Sequence, residues 1–353
     1  SLQFIQPYMG LGNSLQTAQA AAGGGAGVGG WVELGRTTLG SGADSIDVSS
    51  FADKRYLMLL ASGEATGGEA YINWRFNSDT GSNYGFRYNT NGGSDSTNTS
   101  QDRILSYPPT NDKWSFVTNF ISNLSAKEKL NIIHTVTEST AGAGTAPQRR
   151  EIVGKWANTS APITTASAVN TGSGDYASGA EVVVLGWDPA DTHTSNFWEE
   201  LASVELGSAG DTIDSGTITA KKYLWIQCFI IGSGDHNPYL EFNSDTASNY
   251  ARRHSNNGGA DATGINTSLW FNNGTAHNIS SANMFVINNS ANEKLVISSS
   301  VGDNTAGAGT APDRREFVGK WANTSSQITS VQIKNSGSGD FDTGSIIKVW
   351  GSN

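Results

Sequence analysis

Two copies of one short polar turn carry the residues in this sequence that are best suited to bind a metal ion. The nine residues from Phe76 to Tyr84 return from Phe242 to Tyr250 with one change. Asparagine and aspartate oxygens suit Ca2+, but that ion takes roughly six to eight oxygen ligands. The same side chains also form tight turns by bonding to the backbone. We therefore expect turns that shape the fold, with calcium binding as the second hypothesis and these candidate ligands: Asn77, Asp79, Asn243 and Asp245.

Histidine is not shared between the copies, which argues against a duplicated catalytic site. His134 aligns with Ser299, and His254 aligns with Tyr88. The sequence also lacks a Gly-x-Ser-x-Gly elbow, a His-Glu-x-x-His motif, a phosphate-binding loop and the Cys/His spacing of a metal site. We therefore predict a protein that is not an enzyme and has no cofactor. An enzyme with a site split across loops is the third functional hypothesis.

A charged strand motif also recurs. Arg149 to Glu151 returns as Arg314 to Glu316. Opposite charges of this kind pair across strands and contribute about 0.2 to 1 kcal/mol per pair. Pairing across strands is the prediction, and presentation of arginine to a partner or an acidic ligand is the alternative.

The chain contains ten Trp and ten Tyr, and flat aromatic rings that lie exposed can stack on sugars. Trp156 and Trp321 are shared and follow an apolar alternation, so we predict that both pack in the core. Trp74 and Trp225 differ between the copies, and either is a candidate for exposure. A tandem carbohydrate-binding or host-adhesion protein is accordingly the second functional hypothesis.

The chain is a tandem duplication. Thr140 to Ser160 and Thr305 to Ser325 differ at two of 21 positions. Solenoid and propeller units repeat at roughly 20 to 50 residues, so a much longer period indicates one domain per repeat. We predict an N-terminal docking arm and Gly-rich tether over residues 1–30, a first repeat over 31–189 and a second repeat over 198–353.

Short runs of aromatic and β-branched residues, bounded by turn residues, predict about ten strands in each repeat. Several runs alternate between apolar and polar residues, which predicts one buried face and one wet face. Many short strands without a long helical period are typical of sandwiches and jelly rolls. The predicted fold is all-β, with two tandem homologous β-sandwich domains that are jelly-roll-like and an extended N-terminal arm.

The composition excludes two classes of partner. A net charge of -10 and a pI near 4.9 would repel a phosphate backbone, so we expect no nucleic acid. No apolar run approaches the roughly 18 residues of a membrane span. Cys228 is the single cysteine, and a chain without an intrachain disulfide suits folding in a reducing cytoplasm.

Residues 1–22 have no counterpart between the copies and carry several apolar side chains, and the segment from Gly23 to Gly30 follows as a tether. One interpretation is a frayed terminus. The other is a peptide that docks on a partner subunit, and its docking residues would be Phe4, Ile5, Tyr8, Met9 and Leu11.

The pattern Phe-Asn-x-Asp-x-x-Ser-Asn-Tyr, followed by Arg and Asn-Gly-Gly, spans Phe76 to Gly93 and Phe242 to Gly259. Together with the segment from Leu206 to Leu224, it resembles virion structural proteins of marine tailed bacteriophages. The resemblance implies a non-enzymatic, exposed decoration or fibre-like protein docked to the particle by its N-terminal arm.

Several expectations follow from that resemblance. The partners would be other virion proteins of the capsid or tail, with a host surface glycan as a further ligand. The protein would be a homo-oligomer, and a trimer is the form we expect because three two-domain chains match a six-fold platform. It would be located at the virion surface after assembly in the host cytoplasm.

Overall fold

The computed structural model describes residues 30–106, 114–191, 195–271, 279–303 and 307–353. The expected docking residues lie outside the described residues: Phe4, Ile5, Tyr8, Met9 and Leu11. Within the described part the regular structure consists of β-strands, which confirms the all-β prediction. Among these residues, no helix has the length and apolar character that crossing a bilayer requires.

Thirteen strands form the first repeat. They are β1 (Val32–Thr38), β2 (Ser45–Val48), β3 (Tyr56–Thr66), β4 (Asn73–Phe76), β5 (Tyr84–Thr90), β6 (Ser96–Gln101), β7 (Ile104–Leu105), β8 (Trp114–Ser122), β9 (Lys129–Thr137), β10 (Gln148–Trp156), β11 (Ala166–Val169), β12 (Asp175–Tyr176) and β13 (Glu181–Trp187).

The second repeat has thirteen strands in the same order. They are β14 (Glu199–Glu205), β15 (Thr212–Asp214), β16 (Tyr223–Ser233), β17 (Pro238–Phe242), β18 (Tyr250–Asn256), β19 (Ala262–Asn266), β20 (Leu269–Trp270), β21 (Ile279–Ile287), β22 (Lys294–Gly302), β23 (Asp313–Trp321), β24 (Val331–Asn335), β25 (Asp340–Phe341) and β26 (Ile346–Ser352).

Each repeat is a two-sheet sandwich. In the first repeat a large sheet has the strand order β1-β13-β3-β8-β9-β10-β5-β6, with β12 paired to β3, and a small sheet has the order β2-β11-β4-β7. The second repeat has the same orders, β14-β26-β16-β21-β22-β23-β18-β19 and β15-β24-β17-β20. A separate apolar core fills each sandwich. Two tandem homologous β-sandwiches are therefore confirmed.

The polar edge strands were not predicted. β6 reads Ser-Thr-Asn-Thr-Ser-Gln and is largely exposed, and β19 is also mostly exposed. Both lie at the edge of a large sheet, where one neighbour and solvent on both faces make an apolar pattern unnecessary. Their sequences therefore give no strand signal.

The prediction of one wet face per strand is wrong for the centre of the large sheets. β3 is buried from Leu57 to Gly63 and β13 from Glu181 to Gly186. The reason is a third apolar cluster that contains residues of both repeats. The face of each large sheet that points away from its small sheet, here called the outer face, packs against the outer face of the other repeat. The chain is therefore a stack of four layers.

Candidate interaction surfaces

The shared polar turn is tied to a buried tryptophan. Trp156 Nε1 donates to Asp79 Oδ2 at 2.7 Å, Asn83 Nδ2 donates to the same oxygen at 2.9 Å, and Gly81 N donates to Asp79 Oδ1 at 2.8 Å. Burial alone would raise the pKa of Asp79, but these hydrogen bonds outweigh it and hold the pKa below its ordinary value. The carboxylate therefore fastens the turn to the core.

The second repeat reproduces this arrangement. Trp321 Nε1 donates to Asp245 Oδ2 at 2.7 Å, and Asn249 Nδ2 donates to the same atom at 2.8 Å. Asn243 Oδ1 accepts hydrogen bonds from the backbone N–H groups of Thr329 and Ser330.

Asn77 likewise accepts hydrogen bonds from the N–H groups of Thr164 and Thr165. The four candidate calcium ligands thus already accept hydrogen bonds from N–H donors. Among the described residues, no group of three or more His, Cys, Asp or Glu side chains is placed to hold a metal ion. The geometry favours the structural interpretation, and calcium binding stays the second hypothesis.

A stacked tyrosine–tryptophan pair packs against each turn. The rings of Tyr84 and Trp156 are stacked with centroids 6.3 Å apart, and Lys129 Nζ lies 5.4 Å from the Trp156 ring. Trp156 and Trp321 are each 1% exposed, so their predicted place in the core is confirmed. Of the two copy-specific tryptophans, Trp74 is fully buried and Trp225 is half-buried.

The centre of the contact between the repeats is apolar. Phe116 of β8 lies against Tyr223 of β16 with ring centroids 6.2 Å apart, and Phe120 lies 5.8 Å from Phe285. The cluster also includes Met58, Leu60, Trp114, Val136, Val183, Leu185, Phe197, Trp198, Ile287, Leu295, Ile297 and Val318.

A buried carboxylate joins the repeats at one end of this contact. Glu181 accepts hydrogen bonds from Tyr223 Oη at 2.7 Å and Lys222 Nζ at 3.0 Å, both of the second repeat. Thr38 and Arg36 of the first repeat also donate to it. Burial alone would raise the pKa of Glu181, but the hydrogen bonds from Thr38, Tyr223 and Lys222 outweigh it and lower the pKa.

A bidentate ion pair joins the repeats at another point. Arg149 donates from Nε to Asp261 Oδ2 at 2.9 Å and from Nη2 to Asp261 Oδ1 at 2.6 Å. The two side chains are 4% and 2% exposed. Arg149 is also paired with Glu151. The arginine of the recurring charged motif therefore has its main partner inside the chain, on the other repeat.

A buried lysine marks a third junction. Lys320 Nζ lies 3.4 Å from Glu293 and donates to the carbonyl of Glu138 in the first repeat at 3.0 Å. Its counterpart Lys155 is half-exposed and pairs with Glu128 at the surface. Equivalent residues of the two repeats thus have different roles at the interface.

The repeats bury different parts of their outer faces. Tyr223, Phe285, Leu295 and Ile297 of the second repeat are at most 6% exposed because they pack on the first repeat. Three of their counterparts are exposed: Tyr56 at 38%, Leu130 at 57% and Ile132 at 54%. The fourth counterpart, Phe120, is half-buried.

These uncovered side chains line a groove on the first repeat, here called the repeat 1 groove. Trp31 contacts Phe120 edge to face at 6.3 Å, and Tyr56 stacks on Trp187 at 5.4 Å. The groove is lined mainly by Trp31, Tyr56, Phe120, Leu130, Ile132 and Trp187. It adjoins a second, more polar cleft through Ile132, and that cleft is lined by both repeats.

A different pair of aromatic rings lies on the second repeat. Tyr239 of β17 and Trp270 of β20 are stacked with centroids 6.0 Å apart, and both are half-buried. Their neighbours in sequence, Leu240 and Leu269, are fully buried in the core, so the two rings project from the opposite face of the small sheet. Sequence reasoning did not single out this pair, because the aligned residues of the first repeat, Asn73 and Leu105, carry no rings.

The duplication supplies a matched test of the interface. We expect Arg149→Ala to lower the free energy of unfolding by about 3 kcal/mol or more, because it leaves Asp261 buried without its bidentate partner. Arg314→Ala removes the equivalent arginine, whose side chain is 61% exposed, and should cost less than about 1 kcal/mol. Urea unfolding of both variants measures the difference, and equal losses would contradict the assigned role of Arg149.

His254 provides a pH test. Burial and then the neighbouring Arg315 and Arg252 lower its pKa to about 4. Between about pH 6.5 and 4 the unfolded chain therefore takes up this proton before the folded chain does, so the histidine costs stability as the pH falls.

We expect His254→Tyr, which installs the residue found at Tyr88 in the first repeat, to reduce the stability lost between pH 7 and 4. The difference is at most about 3 kcal/mol for a pKa change of this size. Urea unfolding of the wild type and the variant at both pH values measures it. The same pH dependence in both proteins would show that His254 is not the titrating group.

No protein-family model matches the chain, and no curated protein matches it. Among solved structures, mouse laminin alpha1 chain domains LG4-5 are 11% identical over 91% of this chain and 90% of that chain, with a TM-score of 0.20. The complex of human GIVD cytosolic phospholipase A2 with methyl gamma-linolenyl fluorophosphonate is 8% identical over 76% of this chain and 33% of that chain, with a TM-score of 0.14.

Neisserial surface protein A is 8% identical over 80% of this chain and 99% of that chain, with a TM-score of 0.10. Identities and TM-scores this low assign no function to the chain. The description of its fold rests on its own strands and sheets.

Proposed function

We propose that this protein is a non-enzymatic structural component of a virion, an exposed decoration or fibre-like subunit. One observation carries the proposal: the Asn, Asp and Tyr side chains that the two repeats share at the polar turn form hydrogen bonds within the fold. Asp79 and Asp245 fasten the turn to Trp156 and Trp321. A duplicated enzyme or receptor would be expected to retain shared groups that face a cleft. Shared structural groups support a duplicated scaffold.

The close packing of the two repeats supports a structural role at an exposed surface. The apolar contact between the large sheets and the buried Arg149–Asp261 pair oppose relative motion of the two sandwiches. The resemblance of the turn motif to virion proteins of marine tailed bacteriophages supports the same role. The proposed location is the virion surface, reached after assembly in the host cytoplasm.

The proposal assigns the contact with the particle to the N-terminal arm. Its apolar residues, Phe4, Ile5, Tyr8, Met9 and Leu11, would bury on another virion protein of the capsid or tail. The segment from Gly23 to Gly30 would act as a flexible tether with a reach of about 15 Å. A homotrimer is the proposed oligomer, since three double repeats match a six-fold platform.

Deletion of residues 1–22 tests this role. We expect the truncated protein still to fold, because the three apolar clusters are built from Trp31 onward, and to be lost from particles. The measurement is the amount of tagged protein in particles purified from producing cells. A matched control replaces Gln3, Gln6 and Gln16 with serine and should be incorporated normally. Normal incorporation of the truncated protein would refute the docking role.

A tandem carbohydrate-binding or host-adhesion protein is the second candidate. The half-buried stack of Tyr239 and Trp270 favours it, because aromatic rings on an open sheet face can hold the apolar face of a sugar. Arg252 lies 5.7 Å from the Trp270 ring, and Lys334 and Glu241 are paired nearby at 2.6 Å. The two functions are compatible if the virion protein is itself the adhesin.

A glycan array separates the two candidates. If the second candidate holds, the wild type binds a defined set of glycans, Trp270→Ala loses that binding, and Phe229→Ala keeps it. Phe229 is a suitable control because it is 40% exposed at a different place. Absence of glycan binding by the wild type, or binding that survives Trp270→Ala, would contradict a sugar site at this stack.

A further inference from the structure

The repeat 1 groove is the counterpart of a surface that is buried in the second repeat. The second repeat has the same surface, built from Trp198, Tyr223, Phe285, Leu295 and Ile297, and all five residues are at most 8% exposed. They are covered by apolar side chains of the first repeat, among them Phe116. In the first repeat, the described residues leave Tyr56, Leu130 and Ile132 of the equivalent surface exposed.

The chain enters the described structure at this groove. Trp31, which follows the Gly-rich tether directly, is one of the groove residues and contacts Phe120. A Gly-rich segment of eight residues has a reach of about 15 Å as a random coil, so the segment before Gly23 would start within reach of the groove.

The arm and the groove have the same chemistry. The groove lining is apolar and aromatic, with Leu130 and Ile132 more than half exposed. The arm carries the apolar side chains Leu2, Phe4, Ile5, Tyr8, Met9 and Leu11 and no Lys, Arg, Asp or Glu before Glu33. Binding of the arm to the groove therefore carries no free-energy cost for desolvating charged side chains of the arm or of the groove lining.

We propose that the repeat 1 groove binds the N-terminal arm of the same chain. Binding would cover Tyr56, Leu130 and Ile132 in the way that the first repeat covers Tyr223, Leu295 and Ile297. It would also shield the apolar arm from nonspecific association before a partner takes it up. The proposal concerns the free chain and does not depend on a virion role.

Hydrogen exchange of the full-length chain tests the proposal. We expect the amides of residues 2–11 to exchange slowly in the wild type and at least about tenfold faster in the variants Leu130→Asp and Ile132→Asp, which release the arm. Both positions are more than half exposed, so the variants should fold. Unchanged exchange in strands β11 and β22, which carry neither substitution, verifies that they do.

Ile265→Asp is the matched control. Ile265 is 53% exposed on β19 of the second repeat, away from the groove, so its replacement should leave the arm protected. Unprotected arm amides in the wild type, or protection that survives Leu130→Asp and Ile132→Asp, would overturn the proposal.

A disulfide test identifies the chain that supplies the arm. In the double variant Met9→Cys, Ile132→Cys, we expect oxidation to give an intramolecular disulfide and a species of monomer mass. Cys228 does not interfere, because it is buried and its pKa is raised to about 12. A disulfide-linked dimer would instead assign the groove to the arm of a second copy, and absence of any crosslink would again count against docking.

Failure of the arm–groove proposal can be distinguished from failure of the proposed virion function. Particle incorporation tests whether the arm binds a virion partner, whereas exchange in the purified chain tests whether it binds the groove. An arm that is needed for incorporation but unprotected in the free chain would leave the proposed function intact and refute only the groove.

Discussion

The face-to-face packing of the two large sheets is the contact on which the rest of the structure depends. Each fully buried aliphatic or aromatic side chain in it contributes about 1.5 to 3 kcal/mol by leaving water. Three polar junctions surround the apolar centre, at Glu181, Arg149 and Lys320. Each is buried and has partners on the opposite repeat, so a shift of one sandwich against the other would leave charges unpaired. Burial of the apolar side chains stabilises the contact, and the polar junctions fix the position of one sandwich relative to the other.

This contact places identical residues of the two copies in different environments. Lys320 and Lys155 occupy equivalent places, but only Lys320 lies inside the interface. Arg149 is buried against Asp261, whereas Arg314 is exposed. The turn motif lies away from the contact and kept nearly the same residues in both copies. Burial and partners of these identical residues therefore follow their position relative to the interface, and the described residues leave an apolar groove exposed on the first repeat.

Much of each sandwich could be predicted from the sequence. The shared turn, the buried Trp156 and Trp321 and most strands have local signals, namely Asx and glycine residues or apolar alternation. The edge strand β6 has no such signal, because its polar residues face solvent on both sides. The stacking of the two sandwiches was not predicted because it joins residues that are distant in the sequence, such as Phe116 and Tyr223. The one available signal was the unbroken apolar run in β3 and in β13, which is typical of strands buried on both faces.

The account implies that the two repeats behave as one body, and differential scanning calorimetry tests that claim directly. If the interface couples the sandwiches, unfolding is a single transition whose calorimetric enthalpy equals its van't Hoff enthalpy. Two separable transitions, each with about half of the total enthalpy, would show that the sandwiches unfold independently. That result would contradict an interface strong enough to fix their geometry.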